Sequence, residues 1–268
     1  MSTYVISGAA SGIGAATKNR LERDGHRVIG IDLRNADVEA DLSTPAGRVE
    51  AVRQVTELSP DGIDGLVPCA GIAGFTGTDP ALLISVNYFG AVALAAGLKP
   101  LLDLRDAGSV VLIASNSVTC QPGWAADDIV AALLADDEDT ARRLATEHEA
   151  VNLYPVSKFA LASWARRESV KPEWGGRGIR INSIAPGLIA TPMTDELRKD
   201  PVFGPFADVY PNAMGRPGRA EEVAALIAFL LSPDSSLIIG TMILVDGGTD
   251  AILNVVPPRS DERTTFPS

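Results

Sequence analysis

The sequence predicts an α/β fold: a doubly wound parallel sheet of about seven strands with helices packed on both faces. Two observations support this prediction. Short apolar segments without polar alternation are separated by helical stretches along the chain, a pattern typical of parallel strands that are buried on both faces. A glycine-rich segment also lies where the first strand passes into the first helix, the position of a ligand-binding turn in such sheets.

Each strand is predicted from a short apolar run bounded by polar residues or glycine. The predicted strands are Thr3–Ser7, Arg27–Asp32, Ile63–Cys69, Ser109–Ala114, Ile179–Ile184 and Met242–Val245. The first helix is expected to end at Asp24 and Gly25, because glycine is a frequent helix stop. The later helices are predicted over Pro45–Leu58, Ala81–Leu102, Tyr154–Trp174 and Ala220–Leu231.

Three segments interrupt this alternation, but no linker divides the chain, so residues 1–268 are treated as one domain. Residues 121–152 form a long insert, rich in Ala, Leu, Asp and Glu, which we expect to be partly helical. Residues 188–217 contain Pro, Gly, Phe and Met and predict a mobile substrate loop with a short helix. Residues 255–268 are polar and predict a loose tail.

The composition limits the possible partners. The chain has 268 residues and a mass of 28.0 kDa, with 46% hydrophobic and 21% charged residues, as expected for a folded globular protein. Its net charge of −11 argues against nucleic acid and anionic membrane surfaces as partners. The most membrane-like segment, Ala81–Leu102, contains Asn87 and Lys99, so we interpret it as a buried helix rather than a membrane span.

Cysteine and histidine are too scarce for a disulfide framework or a histidine-rich metal site. The chain has two cysteines, Cys69 and Cys120, and two histidines, His26 and His148. We therefore expect no metal and interpret both cysteines as buried small side chains. Residues 1–8 lead into an apolar strand without a preceding basic region, so we expect a cytoplasmic protein.

The glycine-rich segment has the features of a phosphate-binding turn. Gly8, Gly12 and Gly14 follow the first strand, with Ser11 and Ile13 among them. Glycines let the backbone approach a pyrophosphate, which the free N–H groups of the following helix can bind. The spacing G-x-x-x-G-x-G is by itself also compatible with a structural turn. Placed between a strand and a helix, it predicts a dinucleotide site in a single-domain Rossmann fold.

Asp32 ends the second strand, where an acidic side chain can bind the 2′-hydroxyl of the adenosine ribose. The carboxylate would repel a 2′-phosphate, which predicts NAD as the cofactor rather than NADP. Arg34 follows closely and leaves some use of NADP open. Asp41 and Leu42 begin the next connection and are predicted to border the adenine.

Tyr154 and Lys158 are spaced so that one face of a helix carries both. A phenol is a weak acid or base at neutral pH, and a neighbouring cation lowers its pKa by stabilising the phenolate. Such a pair is common by chance, and in isolation it is more typical of a surface or core contact than of a catalytic site. Ser115 is placed at the end of a strand, where ligands bind in open α/β sheets. Asn116 and Ser117 are alternatives for the same role.

Together these residues resemble the short-chain dehydrogenase/reductase family, and the resemblance extends from the N-terminus to about residue 250. Gly8, Gly12 and Gly14 match the cofactor turn of the family, and Ser115, Tyr154 and Lys158 match its catalytic Ser, Tyr and Lys. Asn87 matches a helix Asn that holds a water molecule in the proton relay. Further matches are Ala70-Gly71, the segment 182–187 beside the nicotinamide, Thr191, which bonds the carboxamide, and Asp246-Gly247-Gly248.

The resemblance implies a complete set of site residues. The expected catalytic residues are Ser115, Tyr154, Lys158 and Asn87. The expected cofactor-binding residues are Gly8, Ser11, Gly12, Ile13, Gly14, Asp32, Asp41, Leu42, Ala70, Gly71, Tyr154, Lys158, Pro186, Gly187, Ile189 and Thr191. One departure is that Pro68 and Cys69 replace two asparagines of the family. The departure puts in question the support that those side chains give to the sheet.

Several segments, including Gly30–Arg34 and Ser85–Gly90, are similar to a bacterial group of 3α-hydroxysteroid dehydrogenase/carbonyl reductases. That group also carries a long insert before the catalytic tyrosine. In family relatives the helices containing Asn87 and Tyr154 form the main subunit contact, which the insert would block or rebuild. We therefore expect a homo-oligomer, with a dimer favoured over a tetramer. The acidic residues of the insert are equally compatible with an interface or pocket wall and with a solvated surface.

The resemblance implies an NAD-dependent oxidoreductase that interconverts a secondary alcohol and a ketone, with a hydrophobic substrate such as a 3α-hydroxysteroid. A small alicyclic or terpene alcohol is the alternative substrate, and a silent NAD-binding sensor is an alternative function. The apolar side chains of the substrate loop favour a hydrophobic substrate but are equally compatible with loop packing; they are Leu188, Ile189, Met193, Phe203, Phe206 and Met214. Trp124 is a further candidate for the pocket wall.

Overall fold

The computed structural model describes residues 1–105 and 107–256, and seven parallel strands form its main sheet. Across the sheet the strands are β3 (Val38–Glu39), β2 (Arg27–Asp32), β1 (Thr3–Ser7), β4 (Gly65–Pro68), β5 (Ser109–Ile113), β6 (Arg180–Pro186) and β9 (Met242–Val245). Two short strands, β7 (Ile189–Ala190) and β8 (Gly218–Arg219), pair separately. The predicted doubly wound parallel sheet is therefore confirmed, and its seventh strand is the edge strand β3, which the apolar pattern was too short to reveal.

The helices cover both faces of the sheet. They are α1 (Gly12–Arg23), α2 (Pro45–Leu58), α3 (Pro80–Ile84), α4 (Gly90–Leu102), α5 (Ser117–Cys120), α6 (Asp127–Leu134), α7 (Glu138–Ala145), α8 (Ala150–Ser169), α9 (Pro192–Lys199), α10 (Gly204–Val209), α11 (Ala220–Leu231) and α12 (Thr249–Leu253). Helices α1 and α11 pack together on one face, while α2, α4 and α8 cover the other. The four central strands are buried along their whole length, which explains why their sequences lack polar alternation.

The most apolar helical segment, Pro80–Leu102, is a core element. It is long and apolar enough by composition to cross a membrane, but 72% of its most apolar stretch is buried inside the protein. A π-helical turn at Ser85–Phe89 separates α3 from α4. The interpretation as a buried helix is therefore confirmed. The π-helical turn, which is not revealed by hydrophobic periodicity, places Asn87 toward the C-terminal edge of the sheet.

Helix α8 begins and ends earlier than the sequence predicts, so Tyr154 lies inside it rather than at its start. Pro155 lacks the N–H that would bond to the carbonyl of Val151. The side-chain Nε2 of Gln121 donates to that carbonyl at 3.1 Å instead. The first residues of the insert therefore compensate for the proline that follows the tyrosine, which allows the helix to extend back to Ala150.

The insert is helical in part, as predicted, because α6 and α7 form a hairpin on the outer side of α3 and α8. Its buried face includes Ile129, Leu133 and Ala141. The substrate loop differs from the prediction of one short helix: it contains α9 and α10 and the strand β7. Of the predicted tail only residues 255 and 256 fall within the described chain, and they follow the short helix α12.

Candidate active site

A cleft of about 510 Å³ opens at the C-terminal ends of the central strands. The chain runs from β1 outward to β2 and β3 and then returns to β4 on the other side of β1. This reversal of strand order leaves a crevice, which is where open α/β sheets bind ligands. All sixteen residues expected to bind the cofactor line this one cleft, and so does Ser115. Among the four expected catalytic residues, Asn87 is the one that does not line it.

The glycine turn brings the backbone at Gly14 close to the backbone at Gly8. A Cβ atom at Gly14 would lie 2.1 Å from the carbonyl oxygen of Gly8. Gly8 has a φ of +68° and Gly12 a φ of +54°, a region that side chains with a Cβ rarely adopt. Glycine is therefore required at these positions for the turn, and the start of α1, whose first N–H groups have no partner within the helix, lines the cleft at Gly12, Ile13 and Gly14, as a phosphate-binding turn would.

Asp32 lies at the end of β2 with both carboxylate oxygens held by the backbone. Oδ2 accepts from the N–H of Ala10 at 3.0 Å, and Oδ1 accepts from the N–H of Leu33 at 2.8 Å. Arg34 is exposed and is not among the residues that line the cleft. The geometry thus presents a fixed negative charge where a ribose 2′-hydroxyl can bind and a 2′-phosphate would be repelled.

The chemistry-bearing side chains meet at the other end of the cleft. Ser115, just beyond the end of β5, is buried, and its Oγ accepts from the N–H of Ser117 at 3.1 Å. The Nζ of Lys158 lies 5.6 Å from the ring centre of Tyr154 and donates to the carbonyl of Ile113 at 2.9 Å. Burial lowers the pKa of Lys158 to about 8.

The pKa of Tyr154 differs from the sequence-based expectation. Burial raises it above the ordinary value of a phenol, and a hydrogen bond with Ser115 opposes this rise. The ammonium of Lys158 is engaged with the carbonyl of Ile113 rather than with the phenol oxygen. The lowered pKa expected from the Tyr–Lys spacing is therefore not produced by these side chains alone, because desolvation of the phenolate outweighs the stabilisation.

Asn87 acts on the cleft through the backbone. Its side-chain Oδ1 accepts from the N–H of Ile72 at 2.8 Å, and its Nδ2 donates to the carbonyl of Ile72 at 2.9 Å. Asn87 is 1% exposed, whereas Ile72 and its neighbour Gly71 line the cleft. The amide thus fixes the loop after β4 that forms the floor beside Lys158.

The departure at Pro68 and Cys69 is compensated by a hydroxyl. Ser7 Oγ accepts from the N–H of Ala70 at 3.1 Å and ties the end of β1 to the loop after β4. Burial raises the pKa of Cys69 to about 12, so its thiol stays protonated at neutral pH. The Ser7 hydroxyl thus joins β1 to the loop in which Pro68 and Cys69 stand where the family resemblance would place asparagines.

A second cavity of about 280 Å³ opens from Ser115 and Tyr154 toward the substrate loop. Four of the apolar residues expected around the substrate line it, namely Leu188, Ile189, Met193 and Phe203. Met214 is exposed and Trp124 packs on Phe159, so both expectations were wrong, because each side chain is held away from the cavity. The side chain of Phe206 lies outside the described part of the structure.

Two polar links hold the substrate loop and were not predicted. Asp200 accepts from the N–H of Thr76 at 2.7 Å and from its hydroxyl at 3.0 Å. Tyr210 donates its hydroxyl to Oδ1 of Asn116 at 3.0 Å, directly beside Ser115. Burial raises the pKa of Tyr210 to about 12. Both links join distant segments, so no local sequence signal could have revealed them.

Comparisons with known proteins agree with this geometry. A family model described as short chain dehydrogenase matches residues 2–126, and one described as enoyl-(acyl carrier protein) reductase matches residues 140–250. A 3-alpha-hydroxysteroid dehydrogenase/carbonyl reductase of Comamonas testosteroni is 40% identical over 94% of this chain and 98% of its own. A coniferyl-alcohol dehydrogenase of a Pseudomonas species is 34% identical over 91% of this chain and 94% of its own.

Solved structures give the same result. The 3-alpha-hydroxysteroid dehydrogenase of Pseudomonas sp. B-0831, complexed with NADH, is 44% identical with a TM-score of 0.90 and covers 95% of this chain and 99% of its own. A levodione reductase is 27% identical with a TM-score of 0.74, covering 93% of this chain and 98% of its own. With the glycine turn, the seven-stranded sheet and the Ser–Tyr–Lys cluster in place, the chain belongs to the short-chain dehydrogenase/reductase family.

Proposed function

We propose that this protein is an NAD-dependent oxidoreductase that interconverts a secondary alcohol and a ketone, with a hydrophobic substrate such as a 3α-hydroxysteroid. The observation that carries the proposal is the position of Ser115, Tyr154 and Lys158 where the dinucleotide cleft meets the apolar second cavity. A carbonyl or hydroxyl carbon placed there would face the cofactor cleft on one side and a proton donor on the other.

NAD is favoured over NADP by the charge at the adenosine end. Asp32 is held in place by two backbone N–H groups, and no cation lines the cleft near it in the described chain. The relative solved with NADH supports the same choice. The chemistry that NAD would supply when bound beside Tyr154 and Lys158 is reversible hydride transfer at the substrate carbon.

The side chains would handle the proton and the orientation of the substrate. Tyr154 would take the alcohol proton during oxidation and give one to the oxygen during reduction. The hydroxyl of Ser115 would bind that oxygen and fix its distance from Tyr154. Lys158 would bind the nicotinamide ribose and, together with the positive charge of oxidised nicotinamide, lower the pKa of Tyr154. Asn87 would hold a water molecule that links Lys158 to solvent.

The second cavity supports a hydrophobic substrate. Its walls are mostly apolar, and Ser115 and Tyr154 supply polar groups at the end that meets the cofactor cleft; the other polar lining residues include Asn116, Gln121, Thr194 and Tyr210. An apolar body with one polar group fits this distribution. Steroid identity rests on the two 3α-hydroxysteroid relatives, and a small alicyclic or terpene alcohol would use the same polar end.

The deciding experiment is NADH formation at 340 nm with a panel of 3α-, 3β-, 17β- and 20-hydroxysteroids and of cyclic and terpene alcohols. Turnover of one steroid epimer with a micromolar KM would support the steroid assignment and define the face that reacts. Turnover of the small alcohols alone would remove the steroid assignment but keep the reaction. If no compound gives NADH formation while NADH still binds, the result would instead indicate an NAD-binding sensor.

We also propose that the protein is a homodimer. Helices α6 and α7 cover the outer side of α3 and α8. The family resemblance implies that this side is a subunit contact in relatives. Phe229, Leu237 and Leu253, on other parts of the chain, are exposed apolar side chains that a partner could cover. Light scattering should give twice the mass of the 28.0 kDa chain; a monomer or a tetramer would contradict the proposal.

A further inference from the structure

The insert reaches the cofactor cleft through a buried ion pair. Glu138, at the start of α7, forms a two-pronged contact with Arg48 of α2, and its Oε1 accepts from Nη2 at 2.8 Å. The Arg48 side chain is 7% exposed and that of Glu138 is 18% exposed. A guanidinium held by a carboxylate in this geometry has a fixed orientation.

Arg48 uses its remaining donors on the adenine end of the cleft. It donates to the carbonyl of Leu42 at 2.8 Å and to that of Ser43 at 3.1 Å. Both residues line the cleft. The position of this wall therefore depends on the orientation of Arg48, which Glu138 sets.

The same cluster holds the π-helical turn. Arg48 donates to the carbonyl of Ser85 at 3.2 Å, and the hydroxyl of Ser85 donates to Glu138 Oε1 at 2.6 Å. Arg142, also from the insert, donates to the Ser85 hydroxyl and to the carbonyl of Ala81. Ser85 begins the π-helical turn that contains Asn87, and Asn87 fixes Ile72 at the nicotinamide end.

The protonation of Glu138 is stable at neutral pH. Burial raises its pKa, but the hydrogen bonds from Arg48 and Ser85 and the charges of Arg48 and Arg142 lower it below the ordinary value. The carboxylate is therefore ionised and balanced by two cations, so it does not carry the cost of an unpaired buried charge.

We propose that Glu138 is a positioning residue through which the insert holds both ends of the cofactor cleft at the correct separation. The inference rests on the proposed use of NAD and gives the insert a role in cofactor binding. If the ion pair between Glu138 and Arg48 served folding alone, its removal would change the unfolding midpoint and leave the affinity of the folded protein for NADH unchanged.

The test measures NADH and ADP-ribose binding by fluorescence and calorimetry in the full-length wild type and in Glu138→Gln. The variant keeps the size of the side chain but removes the charge that orients Arg48. We expect the Kd of NADH, which spans both ends of the cleft, to rise about tenfold, and that of ADP-ribose, which lacks the nicotinamide, to rise less. The matched control is Glu57→Gln, which removes an exposed ion pair on the same helix as Arg48 and should leave both Kd values unchanged.

A second variant keeps the test independent of folding. Replacing the pair by apolar side chains, Arg48→Met with Glu138→Leu, avoids an unpaired buried charge, so the protein should fold. It should still lose about tenfold in NADH affinity. Kd values within twofold of the wild type in both variants would overturn the inference. Failure of the wild type itself to bind NADH would instead overturn the proposed cofactor.

Discussion

The two halves of the active site are built differently. In the cofactor half, backbone atoms determine the geometry. A Cβ added at Gly14 would lie 2.1 Å from the carbonyl oxygen of Gly8, and two backbone N–H groups hold the carboxylate of Asp32. In the substrate half, short helices from one loop are linked to distant parts of the chain by side chains such as Asp200 and Tyr210. The first half depends on particular residues at a fixed spacing, whereas the second depends on contacts between segments that are far apart in the sequence.

This difference explains how one fold serves many substrates. On the proposed function, the crevice at the strand reversal would bind the cofactor, which is common to all these reactions, and it cannot change without disturbing the sheet. The loop between β7 and β8 would bind the substrate, which differs from enzyme to enzyme, and loops can change without disturbing the sheet. The proposed catalytic side chains lie at the junction, since Ser115 and Tyr154 line both cavities.

The largest expected effect is at this junction. Tyr154→Phe removes the proton donor while keeping the ring that packs beside Lys158. We expect kcat to fall about 10³-fold, within the usual contribution of general acid–base catalysis. Steady-state rates with NAD and the best alcohol of the panel measure this fall.

The Tyr154→Phe protein should still bind NADH, because the ring stays in place and the glycine turn, Asp32 and Lys158 are unaltered. Full turnover by this variant would exclude Tyr154 as the proton-transfer group. A loss of NADH binding would indicate a structural role for the hydroxyl.

The next largest effect isolates the cofactor half. Gly14→Ala places a Cβ against the Gly8 carbonyl, which is backbone and cannot rotate away. We expect the Kd of NADH to rise about 100-fold, since the turn must open to admit the methyl group. The control is Gly176→Ala, where the nearest atom is a proline Cβ at 3.6 Å. Equal effects of the two variants on NADH binding would contradict a backbone-built turn.

Asp32→Ser tests the charge in the same half. Removing the carboxylate relieves repulsion of a 2′-phosphate and loses a partner of the 2′-hydroxyl. We expect the ratio of kcat/KM for NAD to that for NADP to fall about tenfold. The control, Asp24→Asn, lies at the far end of α1 in an exposed ion pair with Arg20. A ratio that stays constant would remove Asp32 from cofactor selection.

The contrast between the halves also determines what the sequence could predict. All sixteen expected cofactor residues line one cleft: glycine spacing and strand ends indicated the glycine turn, Asp32, Asp41 and Leu42, and the family resemblance implied most of the others. Trp124 and Met214 were placed wrongly because the apolar character of a side chain does not indicate which cavity it faces. Asp200, Tyr210 and Arg48 were missed because each acts through a partner far away in the sequence.

In the substrate half, Asp200→Asn weakens the link between the loop and Thr76. We expect the KM of the hydrophobic substrate to rise about fivefold, while the Kd of NADH is unchanged because the cofactor half is untouched. The control, Asp195→Asn, alters an exposed carboxylate on α9. A change in NADH affinity of similar size would show that the halves are not independent.

The Asp200 link also predicts a pH dependence of stability. Burial raises the pKa of Asp200, but N–H groups of Phe203, Thr76 and Val202 lower it to about 2. A carboxyl whose pKa is lower in the folded than in the unfolded protein stabilises the fold above its unfolded pKa. The difference in unfolding free energy between wild type and Asp200→Asn should be complete at pH 7 and shrink as the pH falls toward 2. Denaturant titrations across that range measure it, and a constant difference would contradict the assigned pKa.

The smallest expected effect is at Tyr210. Tyr210→Phe keeps the ring in the cavity wall and removes the hydroxyl that donates to Asn116. A single hydrogen bond of this kind contributes about 0.5–1.5 kcal/mol, and a loss near the lower end of this range would raise KM about threefold with little change in kcat. A fall in kcat at constant KM would instead indicate that the Tyr210 hydroxyl acts on the reacting oxygen through Asn116 and Ser115. The KM-to-kcat split therefore distinguishes a loop anchor from a member of the catalytic cluster.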